Sequence, residues 1–444
     1  MKTLTKQALA CAVAASMYAP LAAWATNGMN LEGYGPIATG MGGASMAYDN
    51  GTAAVMNNPA TLGLMGDGNR FDIAVGNLRP NVKAEMGPYS ATSSANSFIM
   101  PAVGWMKKQS QMTYGVGVFS QGGMGTEYAA DSFVAQGSGD KVRSEVGVGR
   151  IIFPLAYNVS SNFVVAGSLD YVWAGMDIKM ALPGSAVGGL VDMSNTNTAG
   201  WGPLFPTLGG MDWARFDFSN SSDYTGQAKS TGFAAKIGVA YKVDDKLSFG
   251  ATYHSKTSLG DLKGSATLSA GNAGGPAAAT FSGDIAVRDF QWPALFGVGA
   301  SYKAMDNLML AADIKRINWG SVMQSFKMTF TDTAHGDLAV ELPQEWKNQT
   351  VISLGGAYMV DNAWTIRAGF NHASNPVPDT YLNYLFPATV TTHVTFGVGY
   401  DINKASDVNF SLAYVPEVSN TSDATGITSK HSQMNWQLMY SYLF

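Results

Sequence analysis

The C-terminal end of the chain alternates between apolar and polar side chains. The apolar side chains that share one parity are Trp436, Leu438, Tyr440, Tyr442 and Phe444. Polar residues such as Gln437 and Ser441 lie between them. Because successive side chains of a β-strand point to opposite faces, this segment predicts a strand with one apolar and one polar face.

The same alternation recurs in internal segments. Their apolar positions are Leu247, Phe249, Ala251 and Tyr253; Leu308, Leu310, Ala312 and Ile314; Trp364, Ile366, Ala368 and Phe370; Val394, Phe396, Val398 and Tyr400; and Val408, Phe410, Leu412 and Tyr414. The polar parity carries Lys236, His254, Lys256, Asp313, Lys315, Arg367, His393 and Asp401. This pattern predicts an all-β transmembrane barrel with lipid outside and water or a plug inside. A sandwich with one wet face would give the same alternation.

The N-terminus has the features of a secretory signal. Lys2 and Lys6 precede an apolar stretch that closes with Ala23-Trp24-Ala25, so we expect cleavage after Ala25. An N-terminal membrane anchor is the alternative, although Pro20 interrupts the segment. The only cysteine, Cys11, would leave with the signal, which excludes disulfides, thiolate catalysis and cysteine metal sites. We predict no cofactor and no metal site.

The remaining composition limits the partners and the means of crossing a membrane. Without Lys2 and Lys6 the chain has 25 basic and 32 acidic residues, a formal charge of −7, which is opposite to that of a nucleic-acid-binding protein. Beyond the signal, no apolar run approaches the roughly 18 residues of a membrane-spanning helix. Any spanning structure must therefore be built from strands.

Short polar turns give an expected strand count. Six of them flank alternating segments, at 107–111, 158–162, 243–246, 304–307, 360–363 and 403–407. With both barrel ends in the periplasm, these turns predict fourteen antiparallel strands. We place the strands near 70–82, 96–107, 111–121, 142–158, 162–180, 230–243, 246–258, 285–303, 307–319, 346–360, 363–373, 390–402, 407–416 and 433–444.

Residues 181–229 form the longest expected outer loop, which is rich in large apolar side chains. Candidates for contact with a hydrophobic ligand are Trp201, Leu204, Phe205, Trp213 and Phe216. Packing within the loop is the alternative reading. Ahead of the first strand, residues 26–68 are rich in small residues, which suits a plug in the lumen of a barrel formed by 69–444.

The chain resembles the FadL/TodX group of outer-membrane transport proteins for hydrophobic compounds. The resemblance rests on Asn58-Pro59-Ala60 after a glycine- and alanine-rich stretch, and on further motifs in the same order as in the family. These are Thr126-Glu127-Tyr128, Leu342-Pro343-Gln344-Glu345-Trp346, Ile366-Arg367-Ala368-Gly369-Phe370, Pro376-Val377-Pro378-Asp379 and the final aromatic strand.

The resemblance implies a fourteen-stranded barrel closed by an N-terminal hatch, with Asn58, Pro59 and Ala60 as the hatch motif. It also implies passive uptake of long-chain fatty acids or aromatic hydrocarbons, through an outer groove, a pocket beside the hatch and a gap at a kink in the third strand. We place this lateral opening at Gly122 and Gly123, where tight packing against the hatch is the alternative.

A fatty-acid carboxylate would need a cation in the lumen. The candidates are Arg150, Lys179, Lys236, Lys315 and Arg367, although each could instead pair with an acid such as Asp170 or Asp313. Long-chain fatty acids are the favoured substrates, and neutral aromatic or aliphatic hydrocarbons are the alternative.

Two other functions compete with hydrophobic transport. A lipid hydrolase is disfavoured because no nucleophile motif accompanies the five histidines, and a general porin is the other rival. We expect a monomer in the bacterial outer membrane, in contact with lipid and lipopolysaccharide, inserted by the barrel-assembly machinery. Its ligand would be a hydrophobic small molecule, and we expect no nucleic-acid partner.

Overall fold

The computed structural model describes residues 27–222 and 225–444. The predicted signal, residues 1–25, lies outside this part of the chain. The described residues form one antiparallel sheet with short helices in its connections. No helix in this part is long and apolar enough to cross a membrane.

The sheet contains 22 strands. In chain order they are β1 (Gly68–Leu78), β2 (Pro80–Met86), β3 (Tyr89–Thr92), β4 (Phe98–Gln109), β5 (Met112–Tyr128), β6 (Val142–Ser160), β7 (Phe163–Leu182), β8 (Trp213–Phe218), β9 (Ala228–Lys242), β10 (Leu247–His254), β11 (Ser258–Leu259), β12 (Leu262–Gly271), β13 (Ala277–Arg288), β14 (Leu295–Met305), β15 (Leu308–Ile317), β16 (Ser325–Asp332), β17 (Gly336–Pro343), β18 (Gln349–Met359), β19 (Trp364–Ala373), β20 (Thr392–Asn403), β21 (Ser406–Thr421) and β22 (Thr428–Leu443).

The helices are short. The α-helices are α1 (Pro36–Gly40), α2 (Val187–Leu190), α3 (Thr198–Trp201) and α4 (Phe205–Gly209). The 3-10 helices are Thr52–Val55, Pro59–Leu64, Phe133–Ala135, Gly184–Ala186, Gly202–Leu204, Trp319–Ser321 and Asp379–Tyr381.

The strand pairings close on themselves. They run from β1 through β4, β5, β6, β7, β9, β10, β14, β15, β18, β19, β20 and β21 to β22, which pairs with β1. Fourteen strands follow one another round this circuit, and every pairing in it is antiparallel. The predicted closed antiparallel barrel is therefore confirmed. Closure gives every strand of the ring a partner on each side, which removes the free sheet edges that a lipid-embedded sheet cannot have.

The two parities of the ring strands face opposite surroundings. Phe249, Ile314 and Val394 are exposed on the outside, like most large apolar side chains of their parity. His254 and His393 are buried in the lumen, together with other polar residues of the opposite parity. Two residues predicted to face the lumen are exposed instead. Lys256 lies beyond the end of β10, and Asp401 lies near the turn that ends β20.

On the side away from the short turns, the sheet extends beyond the ring. A second ladder runs from β7 through β8, β12, β13 and β16 to β17. The prediction of a single strand over 285–303 is wrong. These residues are divided between β13, which belongs to this extension, and β14, which belongs to the ring. Residues 181–229 are more than a loop, because they contain α2, α3, α4 and β8.

Residues 27–67, called here the N-terminal segment, fill the lumen. Glycines of the wall allow its backbone to approach closely. A Cβ atom added to Gly250 would overlap the Met46 carbonyl oxygen, and one added to Gly355 would overlap the Met41 carbonyl oxygen. The wall is thus shaped to the segment at main-chain level.

Candidate functional site

Asn58 connects the N-terminal segment to the barrel wall. Its Oδ1 accepts a hydrogen bond from the Ala60 N–H at 3.1 Å and so caps the 3-10 helix Pro59–Leu64. Its Nδ2 donates to the carbonyl oxygens of Met46 (2.7 Å) and Val239 (3.0 Å). Pro59 occupies the first turn, where no N–H is needed, and Ala60 is fully buried. The predicted motif therefore lies against β9.

Two of the candidate cations belong to one buried ion cluster. Arg150 Nη1 lies 2.8 Å from Asp170 Oδ2, and Lys236 Nζ donates to the same oxygen. Ser168 Oγ donates to the other oxygen at 2.8 Å. Since all three charged side chains are buried, the pairing that the sequence left open is present here, and it places two cations beside one carboxylate.

The other three candidates are also engaged. Lys315 Nζ donates to the Gly43 carbonyl oxygen at 2.5 Å and lies 3.9 Å from Asp313. Arg367 Nη1 donates to Asn409 Oδ1 at 2.9 Å. Lys179 is near the outer end of β7, 3.8 Å from Asp217, because this strand continues beyond the ring into the outer extension.

The wall has a gap between β4 and β5. Their ladder ends at the pair Ala102 and Phe119, although β4 stays paired with β1 up to Phe98 and β5 stays paired with β6 up to Tyr128. Farther out, the Ser94 N–H donates to the Glu127 carbonyl oxygen at 2.8 Å and closes the gap from above.

Gly122 and Gly123 lie on the edge of β5 that β4 no longer covers, next to a register shift between Ser120 and Gly122, and Gly122 forms an isolated antiparallel bridge with Asn30 of the N-terminal segment. A Cβ atom on Gly122 would overlap the Met29 carbonyl oxygen and lie 3.0 Å from the Trp292 ring. Both readings of these glycines thus have a structural basis: the strand is irregular here, and Gly122 packs against the N-terminal segment.

A cavity lies inside the wall beside this gap, and we call it the wall cavity. It is largely apolar. Leu31, Tyr34 and Ala53 of the N-terminal segment form one side, while Met100, Ala102 and Phe119 are among the residues on the other. The carboxylate of Asp72 also reaches the lining, but it accepts hydrogen bonds from the Thr52 N–H (2.7 Å) and Arg70 Nε (3.1 Å).

A second cavity, called here the methionine cavity, lies farther out. Its lining residues are Met29, Met124, Val146, Met176, Phe290, Met323, Phe326, Leu342, Gln344 and Phe386. No charged side chain of the described chain lines it. Methionines are unbranched and polarisable, so such a lining can adapt its shape and contact aromatic rings favourably.

One short stretch of the N-terminal segment separates the two cavities. Met29 lines the methionine cavity, and Leu31 lines the wall cavity. Between them, Asn30 Oδ1 accepts hydrogen bonds from Trp292 Nε1 (3.0 Å) and Gln121 Nε2 (3.1 Å). The stretch is thereby tied both to the wall and to the irregular part of β5.

Three buried tryptophans support this stretch from the opposite wall. The ring centroids of Trp292 and Trp319, and of Trp319 and Trp346, are each 5.4 Å apart in edge-to-face arrangements. Trp319 also packs against Gly28, whose φ of +68° favours glycine. These tryptophans and the methionine cavity were not recognised from the sequence, although the tryptophans recur at equal intervals near the outer ends of ring strands.

The five outer-loop candidates for ligand contact are buried or half-buried within the outer part of the protein. Trp201 is fully buried, donates to the Gly336 carbonyl oxygen at 3.1 Å and contacts the Phe281 ring. Trp213 and Phe216 are also buried, whereas Leu204 and Phe205 are half-buried. None of the five lines the wall cavity or the methionine cavity, so their role as ligand contacts stays a prediction.

Ionic contacts close the outer end of the β4–β5 gap. The Glu127 carboxylate accepts hydrogen bonds from Lys141 Nζ (2.8 Å), Arg143 Nη1 (2.9 Å) and Ser94 Oγ (3.0 Å). Burial raises the pKa of Glu127, but these hydrogen bonds outweigh it and hold that pKa below its ordinary value.

Catalytic and metal-binding groups were sought among the same residues. No group of three or more His, Cys, Asp or Glu in 27–222 and 225–444 is arranged to hold a metal ion. His254 hydrogen-bonds the Asn57 carbonyl oxygen, and His393 contacts the Asn371 amide. These two lumen histidines thus bind main-chain and amide groups.

The fold and the cavities together define a class of protein: a transmembrane β-barrel of the outer-membrane type, filled by its own N-terminal segment and carrying apolar cavities inside. Comparison with known proteins then specifies the family. The family described as "Outer membrane protein transport protein (OMPP1/FadL/TodX)" matches residues 12–440.

Two solved structures are similar over nearly the whole chain. The toluene transporter TodX of Pseudomonas putida is 33% identical, with a TM-score of 0.82, and the match covers 93% of this chain and 99% of TodX. The toluene transporter TbuX of Ralstonia pickettii is 31% identical, with a TM-score of 0.77 and coverage of 94% and 99%.

A curated relative from Chlorobium limicola, named "Uncharacterized protein in phosphoenolpyruvate carboxykinase gene 5'region", is 47% identical over 74 residues. The match covers 16% of this chain and 36% of that protein, so the chain spans about a third of this relative's length. The family match extends over almost all of the sequence, and the chain belongs to the OMPP1/FadL/TodX family of outer-membrane transport proteins for hydrophobic compounds.

Proposed function

We propose that the protein carries neutral hydrocarbons, chiefly monoaromatic ones, passively across the outer membrane. The ligand passes from the outer loops to the methionine cavity, then to the wall cavity, and leaves through the gap between β4 and β5. In this proposal residues 26–68 are the hatch, the fourteen ring strands within 69–444 are the barrel, and residues 1–25 are a cleaved signal. Lipid and lipopolysaccharide surround a monomer.

The observation that carries the substrate proposal is the lining of the methionine cavity. Thioether, phenyl and aliphatic groups form it, and no cation of the described residues reaches it. A carboxylate entering such a cavity would lose its hydration without gaining an ion pair, which is strongly unfavourable. A methylated benzene ring loses only unfavourable hydration and gains contacts with sulfur and aromatic groups. The names of TodX and TbuX as toluene transporters support the same class.

Long-chain fatty acids, favoured from the sequence, are the second candidate. The observation in their favour is the ion cluster in which Arg150 and Lys236 share the single carboxylate of Asp170. With two cations and one anion, this cluster has a net charge of +1 when all three groups are ionised. Its cations are buried beside Asp170 and line neither the methionine cavity nor the wall cavity, so a fatty acid would have to displace protein contacts to reach them.

A lateral exit into the bilayer suits a ligand that is a hydrocarbon. A hydrocarbon gains nothing by entering the aqueous periplasm, because its transfer from water to an apolar phase is favourable. Release into the bilayer keeps it in an apolar phase throughout. The gap between β4 and β5 lies beside the wall cavity, which makes it the nearest opening to lipid.

Ligand binding tests the substrate class. Purified protein in detergent is titrated with toluene and with oleate, and Met176→Lys is compared with Met193→Lys. Met176 lines the methionine cavity, whereas Met193 is 52% exposed on the outer loop and serves as the matched control. We expect saturable toluene binding, a loss of at least about tenfold in Met176→Lys, and no change in Met193→Lys. Tighter binding of oleate than of toluene in the unaltered protein would support the fatty-acid alternative.

Cross-linking tests the exit. Cysteines are placed at Pro101 and Ser120, the first positions beyond the end of the β4–β5 ladder, and joined by a short bismaleimide. The control pair is Ala300 and Ala312, which face each other in the complete β14–β15 ladder. We expect the first cross-link to stop toluene uptake while leaving toluene binding intact, and the control to change neither. Undiminished uptake through the stapled gap would rule out this exit.

A further inference from the structure

Gln344 differs from every other residue that lines the methionine cavity. It is the only polar side chain in a lining made otherwise of methionine, phenylalanine, valine and leucine. It is also almost completely buried, with 6% of its surface exposed. A buried amide normally has hydrogen-bond partners, since an unpaired one is costly.

The backbone at Gln344 is held without help from its side chain. The N–H groups of Gln344 and Glu345 both donate to the Gln324 carbonyl oxygen, at 2.9 and 3.0 Å, and the Trp346 N–H donates to the Met323 carbonyl oxygen at 3.0 Å. Glu345 has a φ of +46°, in the left-handed region that side chains rarely adopt. The turn therefore fixes where the Gln344 side chain starts, while its amide takes no part in holding the turn.

The neighbouring buried glutamines show what a structural amide looks like here. Gln349 Nε2 donates to the Ser374 carbonyl oxygen, and its Oε1 accepts from Trp319 Nε1. The amide of Gln433 contacts His431 and Asn435, and Gln121 Nε2 donates to Asn30 although Gln121 Oε1 has no hydrogen bond to another described residue. In residues 27–222 and 225–444, the side-chain amide of Gln344 has no hydrogen bond to another protein group.

We propose that Gln344 is a specificity-determining residue that selects neutral aromatic compounds with one polar substituent, such as a phenolic hydroxyl, over the parent hydrocarbons. The inference rests on the proposed function, because it requires the methionine cavity to bind aromatic ligands. A phenolic hydroxyl donates to the Oε1 of Gln344 or accepts from its Nε2, while the ring occupies the apolar lining. A hydrocarbon leaves the amide unpaired.

The preference for a phenol over a hydrocarbon follows from the cost of leaving a buried polar group unpaired. A site with a buried polar group penalises a ligand that cannot pair with it, whereas a purely apolar site hardly distinguishes a methyl group from a hydroxyl. The four methionines then set the tolerance for ring size, because they can repack around different substituents. The cavity thus discriminates weakly between ligands of different shape and more strongly between ligands with and without a polar substituent.

The test compares p-cresol with toluene, which differ by one hydroxyl group. Affinities are measured by titration calorimetry on the purified full-length protein, and each is corrected for the partition of the compound between water and hexane. After this correction we expect p-cresol to bind about tenfold more tightly than toluene, the factor that one net hydrogen bond provides. In Gln344→Met, which fills the same space without an amide, this preference should disappear, and toluene affinity should stay the same or rise.

Leu342→Met is the matched control, because Leu342 lines the same cavity without a polar group. It should change the affinities for both compounds by the same factor. A p-cresol preference that persists in Gln344→Met would overturn the inference, as would its absence in the unaltered protein. If neither compound binds the unaltered protein, the proposed function fails as well. Toluene binding without a p-cresol preference overturns the role of Gln344 alone.

Discussion

Replacing Asn58 with alanine should loosen the N-terminal segment from the barrel wall. The change removes three buried hydrogen bonds, to the Ala60 N–H and to the carbonyl oxygens of Met46 and Val239. Because Ala60 and Met46 belong to the segment itself, only the hydrogen bond to Val239 joins the segment to the wall, and the seated position loses about 1 kcal/mol. Since 1.4 kcal/mol corresponds to a factor of ten, the ratio of displaced to seated segments should rise by about fivefold.

Planar bilayer recordings measure this ratio directly. The unaltered protein should conduct little, because the segment fills the lumen, whereas Asn58→Ala should open about five times more often. Asn69→Ala is the control, since the Asn69 amide donates to the Phe444 carbonyl oxygen, which belongs to the barrel wall and not to the N-terminal segment. Heat-modifiable electrophoretic mobility checks that both variants form barrels. An opening frequency in Asn58→Ala equal to that of the unaltered protein would refute the reasoning, and a steady large current from the unaltered protein would favour a porin.

Two further predictions concern charge. Asp170→Asn should destabilise the barrel by about 3–5 kcal/mol, because it leaves Arg150 and Lys236 buried without their shared anion. Lys236→Met should destabilise it less. Denaturant unfolding of both variants measures the difference, and equal stabilities would contradict the prediction. Because the pKa of Glu127 is lowered in the folded protein, its contacts stabilise the outer loop above the ordinary value of 4.5 and are lost as the pH falls through the lowered value. Proteolysis of the loop at residues 129–141 should therefore accelerate in the unaltered protein as the pH falls below 4.5. It should be fast and nearly independent of pH in Glu127→Gln, and a variant that kept the same acid-induced acceleration would speak against this role.

The ring strands could be predicted because their signal is local. Alternation and short polar turns are properties of a few neighbouring residues, and β15, β19 and β20 lie within a few residues of their expected positions. The division between β13 and β14 escaped this reasoning. Asp289 has a φ of +56° there, and Gln291 Oε1 accepts from Thr257, so a tertiary contact determines the break.

The site was less predictable, because closure of the barrel assembles it. Met29, Met124, Met176 and Met323 are far apart in sequence and meet only across the lumen. The inward parity of Lys236 followed from alternation, but its partner Asp170 depends on the register between β7 and β9. Gln344 stood within a recognised motif without a distinguishable role, since only the fold shows that this residue is buried, lines the methionine cavity and has no side-chain hydrogen bond to another described residue.

The two cavities also explain how a passive route can move cargo without trapping it. Each step removes apolar surface from water, and each Å² contributes about 25 cal/mol, so entry needs no energy source. Release requires that no single site bind too strongly. Adaptable methionines meet this condition, because they contact a ring without fixing it in one position. A hydrogen bond to Gln344 would lengthen the stay of a phenol relative to that of a hydrocarbon. Selectivity and throughput are therefore opposed at this residue, and Gln344→Met should pass phenols faster at saturating concentration even though it binds them more weakly.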